Sequence, residues 1–293
     1  MMKKNAYFYV FSILTILFLS QCFSKTGTPP DKKPEIKLIT HKEGADSIRR
    51  DTNAPIKALS LKPLKGKASY EYLKKYDLSP FFQSQYPKNG FYGEDHYRIE
   101  YIFTEVKQDS VNVNIYHVKG KNRHKKVVSD FEGFFRLIDV YEIQDPNIST
   151  NDYFNDENAT KIYGSTGDFE FVEKGDSKYS GTFKGKLTAE WANHYNPETK
   201  ELELNGLWFY SENLPSKGAG YRFDGNWTSK SGDRTVPFIW AEDIFRFGND
   251  ILADFSYGER EVIINKKYRS LGWDEYLYDA DEWWNETPKK PEM

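Results

Sequence analysis

The chain contains very little cysteine: one residue, Cys22, among 293. A single cysteine excludes a disulfide framework within the chain and a cysteine-based zinc site. Histidine is also scarce, with five residues, and no two of them have the spacing of metal ligands. The sequence lacks the nucleophile elbow of hydrolases, the phosphate-binding loop and the His-Glu-x-x-His zinc motif. It therefore predicts no metal and no cofactor.

The chain also lacks a strong excess of charge of either sign. It has 41 basic and 44 acidic residues, a net charge of −3, whereas nucleic-acid-binding domains carry a basic face or stripe. Mean hydropathy is −0.75. No apolar run after the N-terminus reaches the roughly 20 residues that a membrane-spanning helix needs. These features predict neither a nucleic-acid partner nor a further membrane span.

The N-terminus has the pattern of a secretory signal that ends at Cys22. Two lysines precede an apolar run over residues 6–19, which is too short to span a bilayer. Leu19, Ser20 and Cys22 then resemble the end of a bacterial lipoprotein signal, in which the cysteine is acylated and becomes the new N-terminus. Gln21 departs from the Gly or Ala that is usual there. We expect Cys22 to carry the lipid, with an ordinary cleaved secretory peptide as the alternative.

A lipid on Cys22 would hold the protein in a bacterial cell envelope. Phe23 and Ser24 offer no acidic inner-membrane retention signal, which favours the outer membrane. Residues 22–65 are rich in proline and charge and show no lasting period of 2 or 3.6, so they predict a flexible tether. The sequence thus divides into a signal peptide over residues 1–21, this tether, and one β-rich globular domain over residues 66–293.

Aromatic residues are abundant, at 17% of the chain, and they favour β-sheet. Apolar or glycine positions alternate with polar ones over residues 179–191, the pattern of a strand with one buried face. Further strands are predicted at residues 97–106, 111–118, 131–143, 202–210 and 221–227, and short helices at residues 70–76 and 79–86. The basic run 119–126 is interpreted as a hairpin loop. We predict an all-β fold, an antiparallel meander forming a barrel or strongly curved sandwich, with short helices N-terminal to the first strand.

A pattern of apolar, any, Gly, any, apolar residues recurs along these strands. It places glycine on the inward face at positions 133, 181, 185, 206 and 225. Glycine weakens a strand, so its repetition indicates a need for room. We expect the missing side chains to let neighbouring aromatic rings lie across the backbone and to let the sheet coil sharply.

The same space could admit a ligand. We therefore predict a non-catalytic binding or structural module whose partner is a small apolar ligand, a glycan or an envelope protein. Packing of the aromatic rings as an ordinary core is the alternative. The candidate ligand-binding residues are Phe135, Phe183, Trp191, Trp208, Trp227 and Trp240.

A hydrolase that acts on glycans is the second hypothesis. Such an enzyme needs two carboxyl groups facing one cleft, roughly 5–10 Å apart. Glu242 and Asp243, directly after Trp240, are the candidates. The acidic and aromatic tail over residues 274–286 could instead dock on the barrel or on a partner.

Part of the C-terminal half resembles a group of uncharacterised envelope lipoproteins from Gram-negative bacteria. The resemblance covers about 60 residues from Gly220 onward, and the chain departs from the pattern around residues 247–253. It implies an envelope location but no activity. The motifs that carry it are Tyr221-x-Phe223-x-Gly225-x-Trp227, Trp240-Ala241-Glu242 with Arg246, Asn265-Lys266-Lys267-Tyr268, and Gly272-Trp273-x-x-Tyr276.

Overall fold

The computed structural model describes residues 60–144, 159–175, 180–196, 201–206, 214–254, 263–276 and 282–285. Within them the fold is mainly antiparallel β-sheet. The strands are β1 Ser60–Leu64, β2 Lys88–Tyr92, β3 Tyr97–Gln108, β4 Ile115–His124, β5 Val127–Gln144, β6 Ala159–Glu173, β7 Gly181–Asn196, β8 Glu201–Gly206, β9 Tyr221–Ser229, β10 Thr235–Ala241, β11 Leu252–Asp254 and β12 Ile263–Ile264. The helices are α1 Lys67–Lys75, α2 Ser79–Phe82 and the single turn α3 Lys266–Tyr268, with 3-10 turns at Ile244–Arg246 and Trp283–Asn285.

Eight strands close into a ring, so the predicted all-β fold is confirmed and takes the form of a barrel. Their order around the ring is β2-β3-β4-β5-β6-β7-β9-β10, with β10 pairing back to β2. Every pair is antiparallel. β1 pairs with the part of β5 that extends past the end of β4. In the same way, β8 pairs with the part of β7 that extends past the end of β9. Both extra strands therefore lengthen the wall without entering the ring.

The alternation predicted for residues 179–191 is the alternation of β7. Phe183, Leu187 and Trp191 are buried in the barrel interior, whereas Lys184 and Lys186 are exposed. Tyr179 lies outside the described residues. The period of 2 thus separates an apolar inner face from a solvated outer face.

The N-terminal helices close one end of the barrel. Phe82 of α2 is fully buried, with its ring 4.5 Å from that of Phe135. The Tyr72 hydroxyl of α1 accepts a hydrogen bond from Trp191 Nε1 and donates one to Asn193, both at 2.9 Å. The two short helices were predicted N-terminal to the first strand. They follow β1 but precede every strand of the ring, and they pack into its interior.

Several predicted boundaries were wrong. α2 ends at Phe82 and not at residue 86, and β4 begins at Ile115 and not at residue 111. Residues 60–64 form β1 on the open edge of β5, so the tether does not extend to residue 65. The basic run 119–126 is a loop only at Lys125 and Lys126, because its first six residues belong to β4. β1 is almost wholly exposed and contains Pro63, so its side chains carry no alternation that would reveal it.

The segment after β10 packs on the outer face of the barrel and forms a second core. Phe91 of β2, Ile244, Ile251 and Tyr268 are buried there together with Trp273. Trp273 Nε1 donates a hydrogen bond to the backbone oxygen of His96 at 2.9 Å. In the tail itself, Tyr276 lies against Arg98 of β3 and Trp283 against Arg123 of β4, so these described residues dock on the barrel, one of the two placements expected for the tail. No helix in the described ranges is long and apolar enough to cross a membrane.

Candidate functional site

Most of the aromatic residues predicted to bind a ligand are core residues. The rings of Phe135, Trp191 and Trp240 are fully buried. Phe135 stacks on Tyr116 at 4.8 Å between ring centroids, and Trp240 stacks on Tyr101 at 4.7 Å. The hypothesis of a lumen lined by these rings is corrected accordingly, because close packing in this part of the barrel fills it. Trp208 lies outside the described residues.

Phe183 and Trp227, the other two candidates, line a cavity at the opposite end of the barrel from α1 and α2. This end, called the mouth, carries the turns that join β2 to β3, β4 to β5, and β9 to β10. The cavity has a volume of about 240 Å³. Besides the two predicted rings it is lined by Tyr92, His124, Glu173 and Arg234, among others.

Glu173, at the end of β6, is a buried carboxylate at the side of this cavity. It accepts hydrogen bonds from Asn122 Nδ2 at 2.9 Å, from the Gly181 backbone at 2.8 Å and from Trp227 Nε1 at 2.9 Å. Burial nevertheless raises the pKa of Glu173, against the effect of these donors. The carboxylate joins β4, β7 and β9 and so fixes the geometry of the mouth.

His124, the last residue of β4, has a ring nitrogen that a ligand could use. Its ring lies 4.5 Å from the Tyr92 ring. Burial, with the positive charges of Lys125 and Arg234, lowers the pKa of His124 to about 4. The imidazole is therefore neutral at pH 7. Its Nε2 is buried, and no described protein group lies within hydrogen-bonding distance of it.

Arg234 forms the exposed rim of the cavity. Its guanidinium lies 5.9 Å from the centroid of the Tyr92 ring and 5.7 Å from that of Trp227. Contact with two aromatic faces orients the cation over the opening. Lys125 also lines the cavity. The mouth thus combines aromatic walls, a neutral imidazole and two cations, which suits a small ring compound with an anionic or hydrogen-bonding group.

No sequence pattern named above predicts His124, Glu173, Tyr92 or Arg234 as site residues. For Glu173 a signal was present: Phe169 and Phe171 are inward-facing residues of β6, and period 2 places Glu173 on the same face. A carboxylate that continues a buried alternation indicates a polar feature inside the barrel. The other three residues lie at strand ends and turns, where no periodicity marks them.

The carboxylates proposed for hydrolysis have separate structural partners. Glu242 forms an ion pair with Lys88 at 2.5 Å. Asp243 accepts a hydrogen bond from the Phe245 backbone at 3.1 Å and pairs with Arg246 at 3.3 Å, which caps the turn that follows. Burial raises the pKa of Asp243. Neither residue lines the cavity at the mouth or any of three further cavities formed by described residues, so these cavities give no support for this catalytic pair.

Metal-binding chemistry has no obvious location in the described ranges. No group of three His, Cys, Asp or Glu side chains there could hold a metal ion.

The resemblance to envelope lipoproteins stays a prediction. No family model matches this chain, and neither a curated protein nor a solved structure was found that is similar to it.

Proposed function

We propose that this chain is a lipid-anchored, non-catalytic binding domain of a bacterial envelope, and that its ligand binds in the mouth of the barrel. The anchor is supported by the signal that ends at Cys22. The binding role is supported by one observation above the others: the aromatic core fills the barrel around α2 but leaves a polar-rimmed cavity at the mouth. A few convergent polar groups in a mainly apolar pocket are typical of small-molecule sites.

The size and chemistry of the cavity limit the ligand. A volume of about 240 Å³ is below the roughly 300–1,000 Å³ of sites for drug-sized molecules. Phe183 and Trp227 offer apolar faces, and Lys125 and Arg234 favour negative charge. The proposed ligand is therefore one ring with an anionic group, and the long apolar chain of a lipid is too large for this cavity.

Benzenesulfonate and its neutral analogue benzenesulfonamide are suitable probes. We expect benzenesulfonate to bind more tightly than the amide and to shift the imidazole NMR signal of His124. An anion beside His124 raises its pKa from about 4, so benzenesulfonate affinity should increase as the pH falls from 7 to 4. The affinity of the neutral amide should change little over this range.

Arg234→Gln should weaken benzenesulfonate binding by about tenfold, roughly 1.4 kcal/mol. The matched control is Arg136→Gln, which removes an exposed arginine of β5 that pairs with Asp168 away from the mouth. Equal affinity in both variants, or a His124 signal unmoved by saturating probe, would exclude the mouth as the site.

The anchor is tested separately by the intact mass of the full chain expressed in a Gram-negative host. We expect loss of residues 1–21 and an added mass of acyl chains at Cys22, because stable anchoring needs more than one chain. Cys22→Ser should abolish both the added mass and recovery with membranes. A mature protein with an unmodified Cys22 thiol in the soluble fraction would refute the proposed anchor.

A further inference from the structure

A second concave site lies on the outer surface of the barrel, beside the turn between β4 and β5. This groove has a volume of about 450 Å³, larger than the cavity in the mouth. Its basic residues come from four parts of the chain: Arg98 of β3, Arg123 of β4, Lys125 and Lys126 of the turn, and Arg269 of the C-terminal segment. In a chain with a net charge of −3, this concentration of cations requires a local explanation.

The turn that supplies the two lysines has an unusual sequence for its shape. The backbone φ angles are +50° at Lys125 and +66° at Lys126, both left-handed. A two-residue hairpin with positive φ at both positions is a type I′ turn, which favours Asn-Gly, Asp-Gly or Gly-Gly. Residues with a Cβ atom are strained there, lysine included. Strained backbone persists chiefly where it serves a function, and here it places two ammonium groups at the groove.

The acidic residues of the groove rim are loosely held. Lys126 pairs with Glu275 at 2.9 Å, with the two side chains 79% and 50% exposed. Arg269 lies 3.7 Å from Asp274, and both side chains are more than half exposed. Exposed ion pairs contribute little stability, so an incoming anion can replace these carboxylates. Lys125 instead lies over the Tyr97 ring, 4.8 Å from its centroid.

The floor of the groove is more rigid. Glu100 forms ion pairs with Arg98 at 3.0 Å and with Arg123 at 2.5 Å, and all three side chains are nearly buried. The Arg123 guanidinium also lies 5.2 Å from the centroid of the buried Trp283 ring. A buried, ion-paired floor beneath an exposed ionic rim is a surface that is largely formed before its ligand arrives.

An aromatic shelf adjoins the groove. A smaller cavity of about 200 Å³ shares Arg98 and Glu100 with it and is lined by Tyr86, Tyr276 and Trp284. The Tyr86 side chain is 67% exposed and meets Trp284 edge to face, with 6.4 Å between ring centroids. One exposed ring and two partly buried rings thus lie together beside the groove, and flat aromatic faces can pack against the C–H faces of sugar rings.

We propose that the groove and the aromatic shelf together bind an anionic saccharide. The shelf receives a sugar ring, and Lys125, Lys126 and Arg269 bind the sulfate, phosphate or carboxylate groups that the saccharide carries. This site is distinct from the mouth, although Lys125 lines both cavities.

The test measures binding of sulfated dextran and of unmodified dextran of equal length to the full chain by calorimetry. The key variant is Lys125→Asn combined with Lys126→Gly, which installs the sequence that a type I′ turn prefers. We expect this variant to bind sulfated dextran at least about tenfold more weakly while its Tm stays equal or rises. Loss of affinity without loss of stability separates ligand binding from a structural role for the turn.

Two controls isolate the groove. Lys184→Asn combined with Lys186→Asn removes the same charge from the outer face of β7, and this variant should keep the affinity of the parent chain. Trp284→Ala should weaken the binding of sulfated dextran but leave the binding of inorganic sulfate unchanged.

The proposal would be overturned if the β7 variant lost as much affinity as the turn variant, which would indicate diffuse charge attraction. It would also be overturned if inorganic sulfate displaced sulfated dextran when both supply the same concentration of sulfate groups, because the site would then bind the free anion and not the saccharide. Binding to phosphatidylglycerol vesicles but not to sulfated dextran would assign the groove to a lipid surface instead.

Discussion

Phe82→Ala is expected to lower the free energy of unfolding by about 3–5 kcal/mol. Phe82 is fully buried, and its ring centroid lies 4.5 Å from Phe135 and 5.5 Å from Tyr221. Truncation would leave a cavity under α2, because barrel strands paired on both sides cannot collapse into it. Urea unfolding should show a lower midpoint with an unchanged slope.

Phe134→Ala is the matched control for this substitution. Phe134 neighbours Phe135 on β5 but belongs to the outer face and is only partly buried. Phe134→Ala should lower the free energy of unfolding by about 1 kcal/mol, because much of the Phe134 side chain already contacts water in the folded protein. Equal losses for Phe82→Ala and Phe134→Ala would show that α2 does not close the barrel.

Side-chain periodicity predicted the strands of the barrel well where one face is buried and the other is wet. β7 shows this clearly, because Lys184 and Lys186 alternate with buried Phe183 and Leu187. β1 escaped prediction for the opposite reason. It is held by backbone pairing to β5 rather than by burial, and backbone hydrogen bonds leave no pattern in the sequence.

The expected purpose of the repeated glycines is confirmed in two forms. A Cβ atom on Gly181 would lie 2.5 Å from the Trp227 ring, so that glycine lets an aromatic ring cross the backbone. Gly185 and Gly225 lie opposite each other on β7 and β9. A Cβ on Gly185 would lie 2.0 Å from the backbone oxygen of Asp224. There the missing side chain lets two strands approach closely as the barrel coils.

The site was harder to predict than the fold. An aromatic residue that faces inward can pack or bind, and residue type alone does not separate Trp240, in the core, from Trp227, at the mouth. The difference depends on which end of the barrel α2 closes, and this is decided by contacts between residues that are far apart in the sequence. His124 and Arg234 become neighbours of one cavity only when β4 and the β9–β10 turn meet at the same rim.

Glu190 shows a further feature that sequence patterning concealed. Period 2 places it on the outer face of β7, yet it is fully buried beneath residues 214–220. The Ser216 backbone donates to its Oε1 at 3.0 Å, while Oε2 has no hydrogen-bond partner in the described part of the chain. The Tyr141 ring lies across Gly164, the residue that pairs with Glu190, so Tyr141 faces the carboxyl group.

Glu190→Gln is expected to stabilise the protein by up to about 3 kcal/mol at pH 8 and to have little effect at pH 4. Burial raises the pKa of Glu190 from 4.5 to about 7. Between pH 4.5 and about pH 7, Glu190 loses its proton in the unfolded chain but keeps it in the folded chain. The free energy of unfolding therefore falls as the pH rises through this range, and it levels off above about pH 7. Glutamine carries no charge and avoids this penalty. Urea unfolding of both proteins from pH 4 to pH 8 measures the difference.

Glu170→Gln provides the comparison, since Glu170 is a glutamate on the outer face of β6 that pairs with exposed Lys184. Its effect should stay within about 0.5 kcal/mol across the same pH range. A gain from Glu190→Gln that is the same at pH 4 and pH 8 would contradict the argument, because it would come from packing and not from the buried charge. A stability gain that appears only as the pH rises would come from ionisation of the Glu190 carboxyl group beneath residues 214–220. In the parent chain, this part of the barrel wall would then be less stable in alkaline than in acidic surroundings.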